Sequence, residues 1–116
     1  MDVGTLRELF RNLQQWEAYF ASDGIDTITG PDGTIYHLVD IQYLFECRTL
    51  LSPRQRQAIE LCLYRDTKEK DATLIMGVSP TNPVAMYATN GLRRLCEMVA
   101  AGQLPRYGAE RGEAVA

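Results

Sequence analysis

The chain has 116 residues, 46% of them hydrophobic and 23% charged, with a formal net charge of −3. That is the profile of one modest globular domain and excludes a disordered or fibrous chain. No apolar run approaches the roughly 20 residues of a membrane span and no signal-peptide pattern opens the sequence, so a cytoplasmic protein without a membrane partner is expected.

Residues 5–21 carry Leu6, Leu9, Phe10, Leu13, Trp16 and Phe20 at three- and four-residue spacing. The pattern predicts one amphipathic helix with Thr5 as N-cap and Glu8 completing a capping box. Trp16 is expected in the core, the alternative being an aromatic anchor for a partner. Asp23-Gly24 ends that helix. Two β-branched runs, Ile25–Thr29 and Thr34–Leu38, then flank Gly30-Pro31-Asp32-Gly33 and predict a small hairpin. Its turn is acidic, which suits a structural role or a protein contact better than a phosphate backbone. Asp40 to about Thr49 reads as a further helix with Asp40 at its start.

From Leu51 onward three helical signals follow closely. The first runs from Pro53 to about Arg65, with Ser52 as N-cap and Pro53 where its missing N–H costs nothing. The second spans about Lys68 to Met76, with Thr67 as cap and Gly77 as stop. The third runs from about Pro83 to Ala101, its stripe formed by Val84, Ala88, Gly91, Leu92, Leu95 and Val99. Val84, Ala88, Leu92 and Leu95 are expected to bury against Ile59, Leu63, Ala72 and Ile75. The predicted fold is mainly α. A helix-turn-helix three-helix core carries an N-terminal helix, the hairpin and the further helix packed on it. Residues 1–102 form one domain (1–51 and 52–102) and 103–116 a flexible tail.

Ser52-Pro53-Arg54-Gln55-Arg56, the Met76-Gly77-Val78-Ser79 turn and Val84…Ala88…Gly91-Leu92-Arg93-Arg94-Leu95 together resemble the fourth region of bacterial sigma factors. The resemblance covers roughly 50 residues. It implies a small prokaryotic or bacteriophage transcription regulator whose last helix enters the DNA major groove. Charge is distributed accordingly. Residues 1–51 hold three Arg against eight Asp or Glu, a net of −5, whereas residues 52–106 hold eight Lys or Arg against five acids, a net of +3. Such a small excess predicts modest, salt-sensitive binding.

In this reading Thr81 and Asn82 stand at the start of the last helix, where N–H groups favour phosphate. Thr89 and Asn90 are the candidates for base edges, Asn suiting adenine, and Ala85 and Met86 for a thymine methyl. Arg54, Arg56, Lys68 and Lys70 hold the backbone, and Arg93 and Arg94 reach phosphates on the far side. Ala85 and Met86 depart from the charged or hydrogen-bonding residues usual there. With Tyr87 they also fit a protein groove. The alternative is therefore a protein-interaction module: an RNA polymerase adaptor, or a phage DNA-packaging or structural component. A homodimer is a further admissible partner arrangement.

No enzyme is expected. There is no phosphate-cradling glycine loop and no GxGxxG after a strand. His37 has no catalytic or metal partner at a fitting position, and Asp23 and Asp26 stand in a turn. Cys47, Cys62 and Cys96 lack CxxC spacing, so neither a zinc site nor disulfides are indicated. No cofactor or metal is called for.

Overall fold

The structure, a computed structural model, describes residues 1–79, 81 and 83–103. Beyond Gln103 the tail expected to be flexible lies outside the described residues, as does Asn82. Among the described residues are six α-helices: α1 (Val3–Arg11), α2 (Leu13–Asp23), α3 (Leu38–Glu46), α4 (Pro53–Ile59), α5 (Glu69–Met76) and α6 (Val84–Ala100). One antiparallel hairpin, β1 (Thr27–Thr29) with β2 (Ile35–His37), completes a mainly helical fold.

The single helix expected over 5–21 is two helices. Asp2 caps the first in place of Thr5, its carboxylate accepting from the Thr5 N–H at 2.7 Å. Asn12 interrupts the path with φ −98° and ψ 0°. Its side-chain amide donates to the Glu8 carbonyl at 2.8 Å, a local bond that competes with regular helix geometry. The apolar stripe crosses the break undisturbed, and Leu6, Leu9, Phe10, Leu13 and Trp16 are all buried. Trp16 thus packs in the core, whereas Phe20 stands 49% exposed and is not the core residue its spacing predicts.

In the hairpin turn Gly33 takes φ +80°, a left-handed conformation that glycine adopts without steric cost. The Tyr36 ring closes on Gly30, where an added Cβ would lie 2.6 Å from its Cε2. Asp32 accepts from the Tyr36 hydroxyl at 2.8 Å and from the Thr34 N–H at 3.1 Å. These bonds, the tyrosine's first, hold the Asp32 carboxyl below its ordinary range. The acidic turn is therefore internally engaged.

α3 starts at Leu38 with His37 as its N-cap, so Asp40 lies in the first turn instead of capping it. The helix ends at Glu46, and a 3₁₀ turn over Cys47–Leu50 completes the segment. Ser52 caps α4 as expected. Its hydroxyl accepts from the Gln55 N–H at 3.3 Å while the Gln55 side chain accepts from the Ser52 N–H at 3.4 Å. This is a reciprocal capping box. Beyond Ile59 the helix widens into a π turn, Glu60–Tyr64, with the Arg65 N–H bonded to the Glu60 carbonyl at 2.9 Å. Lys68, not Thr67, is the N-cap of α5.

α6 packs most extensively on α4 and also touches α1 and α5. Val84, Ala88, Gly91, Leu92, Leu95 and Met98 form its buried face. Ile75 is 58% exposed and does not join that core. Ala72 and the half-buried Met76 are the inward positions of α5, and Ile75 lies too far round the helix to follow them. The buried residues of both halves form one contiguous cluster, from Leu6 and Ile41 to Ile59 and Leu92.

The tightest approach in that cluster is at Gly91. A Cβ there would lie 2.9 Å from Ile59 Cδ1, 3.2 Å from Gln55 Cβ and 3.3 Å from Leu51 Cδ1. A glycine-to-alanine change inside a helix ordinarily stabilises by about 1 kcal/mol, but overpacking a filled core costs about 1–3 kcal/mol. Ile59 is fully buried and Gln55 meets the site through its Cβ, so neither yields easily. Gly91→Ala is expected to lower the urea midpoint with an unchanged slope. A raised midpoint would contradict the close α4–α6 contact.

Candidate nucleic-acid interface

The turn between α5 and α6 is built by backbone bonds. Gly77 takes φ +63°. Its N–H reaches the Leu74 carbonyl at 3.2 Å, and the Val78 N–H reaches the Thr73 carbonyl at 3.3 Å. This pair of bonds is a Schellman stop, with Val78 buried behind it. Ser79 Oγ then accepts from the Thr81 N–H at 3.2 Å and shares a 2.8 Å bond with the Thr81 hydroxyl. The Thr81 N–H, expected among the donors aimed at phosphate, is therefore engaged within the turn. The helix itself begins at Val84 with Pro83 as N-cap.

Because Val84, Ala88, Leu92 and Leu95 face inward, the opposite side of α6 is a ridge of Met86, Asn90 and Arg93, with Ala85 on its flank in the first turn. Ala85, Met86 and Arg93 are exposed and Asn90 half-buried. Arg93 Nη1 donates to Asn90 Oδ1 at 3.1 Å. The Asn90 amide oxygen would have to exchange this partner to form a bidentate pair with adenine. Arg94 stands 3.9 Å from Glu97 with both side chains exposed, a pairing that offsets part of its charge but is worth little energetically.

Thr89, expected at a base edge, instead accepts from Arg7 Nη2 at 2.6 Å. On the other flank of α6, Arg54 Nη1 points to the Tyr87 hydroxyl at 3.4 Å, with its guanidinium carbon 5.8 Å from the ring centre. Arg56 is half-buried on α4. Lys68 and Lys70 are exposed at the start of α5, where Glu69 and Asp71 alternate with them. Of the expected site residues, then, Met86, Asn90 and Arg93 share one ridge, while Ala85 stands about 80–140° round the helix from them. Arg54 and Arg94 lie beside it, and the two lysines sit on the neighbouring helix among acids. α5 also exposes Leu74 (73%) and Ile75 (58%).

A second polar cluster has no counterpart in the sequence reading. Glu17, expected on the solvent side of its helix, accepts from the Tyr64 hydroxyl and from Gln42 Nε2, each at 2.8 Å. Arg48 Nε donates to Glu60 at 2.7 Å, and its guanidinium lies 4.1 Å from the centre of the Phe45 ring. Phe45 in turn stacks on Tyr64 at 4.8 Å. These residues line an open cleft of about 450 Å³. The bond from Tyr64 to Glu17 spans 47 positions, so no spacing rule could pair them.

Burial raises the pKa of Cys47, Cys62 and Cys96, and all three are free thiols. No group of three or more His, Cys, Asp or Glu side chains able to hold a metal occurs among the described residues. No described helix is long and apolar enough to cross a membrane. Comparison of the chain with protein-family models, with curated proteins and with solved structures returned no match.

The bond to Glu17, and then burial, push the Tyr64 hydroxyl above its usual value of 10.0. A group that holds its proton more tightly when folded contributes stability that is fully present below its unfolded pKa. That contribution is lost as pH rises through the folded value. Urea unfolding compared at pH 8 and above pH 10 should therefore show a fall in stability that is smaller in Tyr64→Phe than in the parent chain. An equal fall in both would mean that the Glu17–Tyr64 bond does not couple α2 to the π turn.

Proposed function

We propose that this protein is a sequence-specific DNA-binding regulator that places α6 in the major groove, as the region-four resemblance implies. It would act by binding and not by catalysis, in the cytoplasm of a prokaryotic cell or a phage-infected host. The observation that carries the reading is the α6 ridge itself. Met86, Asn90 and Arg93 stand on the side opposite the α4 contact, directly after a short helix stopped at Gly77. A groove about 12 Å wide admits such a helix. Residues 52–103 hold seven Lys or Arg against five acids, a net of +2. The electrostatic contribution is therefore small, and discrimination rests on base contacts.

A second reading draws on the apolar exposure of Leu74, Ile75 and Met86. These side chains suit a protein partner, such as RNA polymerase, better than a phosphate backbone. Fluorescence anisotropy with genomic duplex fragments over a salt series separates the two. For the DNA reading, Asn90→Ala costs about 1–3 kcal/mol on the preferred fragment and little on unrelated DNA. Arg93→Ala weakens every duplex alike and lowers the salt slope by about one unit. Unchanged affinity and slope after charge removal at Arg93, Arg94, Lys68 and Lys70 would contradict it. If no duplex binds at low salt while Met86→Asp abolishes capture of a protein partner, the second reading replaces it.

A further inference from the structure

We infer that Arg7, on α1 and outside the helix-turn-helix segment, is a phosphate contact on the flank of α6 opposite Arg54. The inference rests on the DNA reading above. Arg7 Nη2 is held on Thr89 at 2.6 Å, and Arg54 Nη1 approaches Tyr87 at 3.4 Å. Thr89 and Tyr87 are two residues apart. At 3.6 residues per turn their side chains diverge by about 160°, so the two guanidiniums stand on opposite sides of the helix. A helix lying in the major groove has a sugar–phosphate strand on each side. One guanidinium per flank is the arrangement that meets both strands.

Arg7, like Arg54 and Arg93, is bonded to a neutral partner. Arg11, Arg48 and Arg94 each stand within ion-pair distance of a glutamate. Arg7 is anchored by a neutral hydroxyl, a bond that does not neutralise its charge. One of its five N–H donors serves Thr89, and the planar fork that remains matches a phosphodiester oxygen pair. Thr89 is thereby a positioning residue, orienting Arg7 instead of reading a base.

The test uses the full chain and two duplexes of equal length, a preferred genomic fragment and an unrelated one, titrated over a salt series. Arg7→Ala should weaken both duplexes alike, by about fivefold at low salt, and lower the salt slope by about 0.9. Arg7→Gln can keep a hydrogen bond to Thr89 while lacking the charge, and should show the same slope loss with an unchanged thermal midpoint. Arg7→Lys should retain the slope. Thr89→Val should weaken both duplexes, and Thr89→Ser should restore parental binding. If the parent binds and Arg7→Gln keeps its full salt slope, Arg7 serves packing alone and the inference is overturned while the DNA reading stands. If the parent binds neither duplex, the DNA reading fails and the inference with it.

Discussion

At Gly91 the backbone of α6 comes so close to α4 that an added side chain would press on Ile59, Gln55 and Leu51, which fill the space. Much of the architecture follows from this contact. Glycine in a helix interior is intrinsically unfavourable by about 1 kcal/mol, and here it permits the close approach that buries Leu92 and Leu95 completely. The same contact reaches Gln55, whose side chain also completes the capping box with Ser52. The start of α4 is thus held from two directions, by its own cap and by α6. With one face of α6 committed to α4, the rotation of the helix is set. Met86, Asn90 and Arg93 are turned outward as a consequence of packing.

The N-terminal half shares in this arrangement. α1 packs on α6 and brings Arg7 to Thr89. α2 is tied to the π turn through Glu17 and Tyr64, and the 3₁₀ turn after α3 is tied to it through Arg48 and Glu60. A π turn is a rare single-turn widening of an α-helix, with i→i+5 bonds in place of i→i+4. In this chain it carries Leu63 into the core while Tyr64 reaches across to α2. The charged and aromatic groups of the cleft therefore join the two halves around the common apolar cluster, and the acidic half is a structural support for α6.

Signals with a strong local cause are legible in the chain alone. Ser52-Pro53 with Gln55, Gly77 as a helix stop and Gly30-Pro31-Asp32-Gly33 as a hairpin turn each follow from the chemistry of a few adjacent residues. The apolar stripe of α6 is equally legible, because burial on one face imposes its period. Other features depend on competition or distance. Asn12 breaks a helix whose hydrophobic pattern runs straight through it, since a bend can preserve side-chain spacing. Ile75 looks like a core residue until the short α5 leaves room inward only for Ala72 and Met76. Thr89 looks like a free polar group on α6. Its partner lies 82 positions away, and no local pattern announces that pairing. The candidate ridge was thus readable as positions on a helix, whereas the bonds that orient its flanks were not.

The most direct test of this account is amide chemical-shift mapping of the isotopically labelled full chain, titrated with duplex DNA at low salt. If α6 enters the groove, shifts concentrate at Ala85, Met86, Asn90 and Arg93, with flanking changes at Arg7 and Arg54 and little change around the exposed Tyr19, Phe20 and Ile35. Shifts confined to α2 and the hairpin, or no shifts at any DNA concentration, would contradict it.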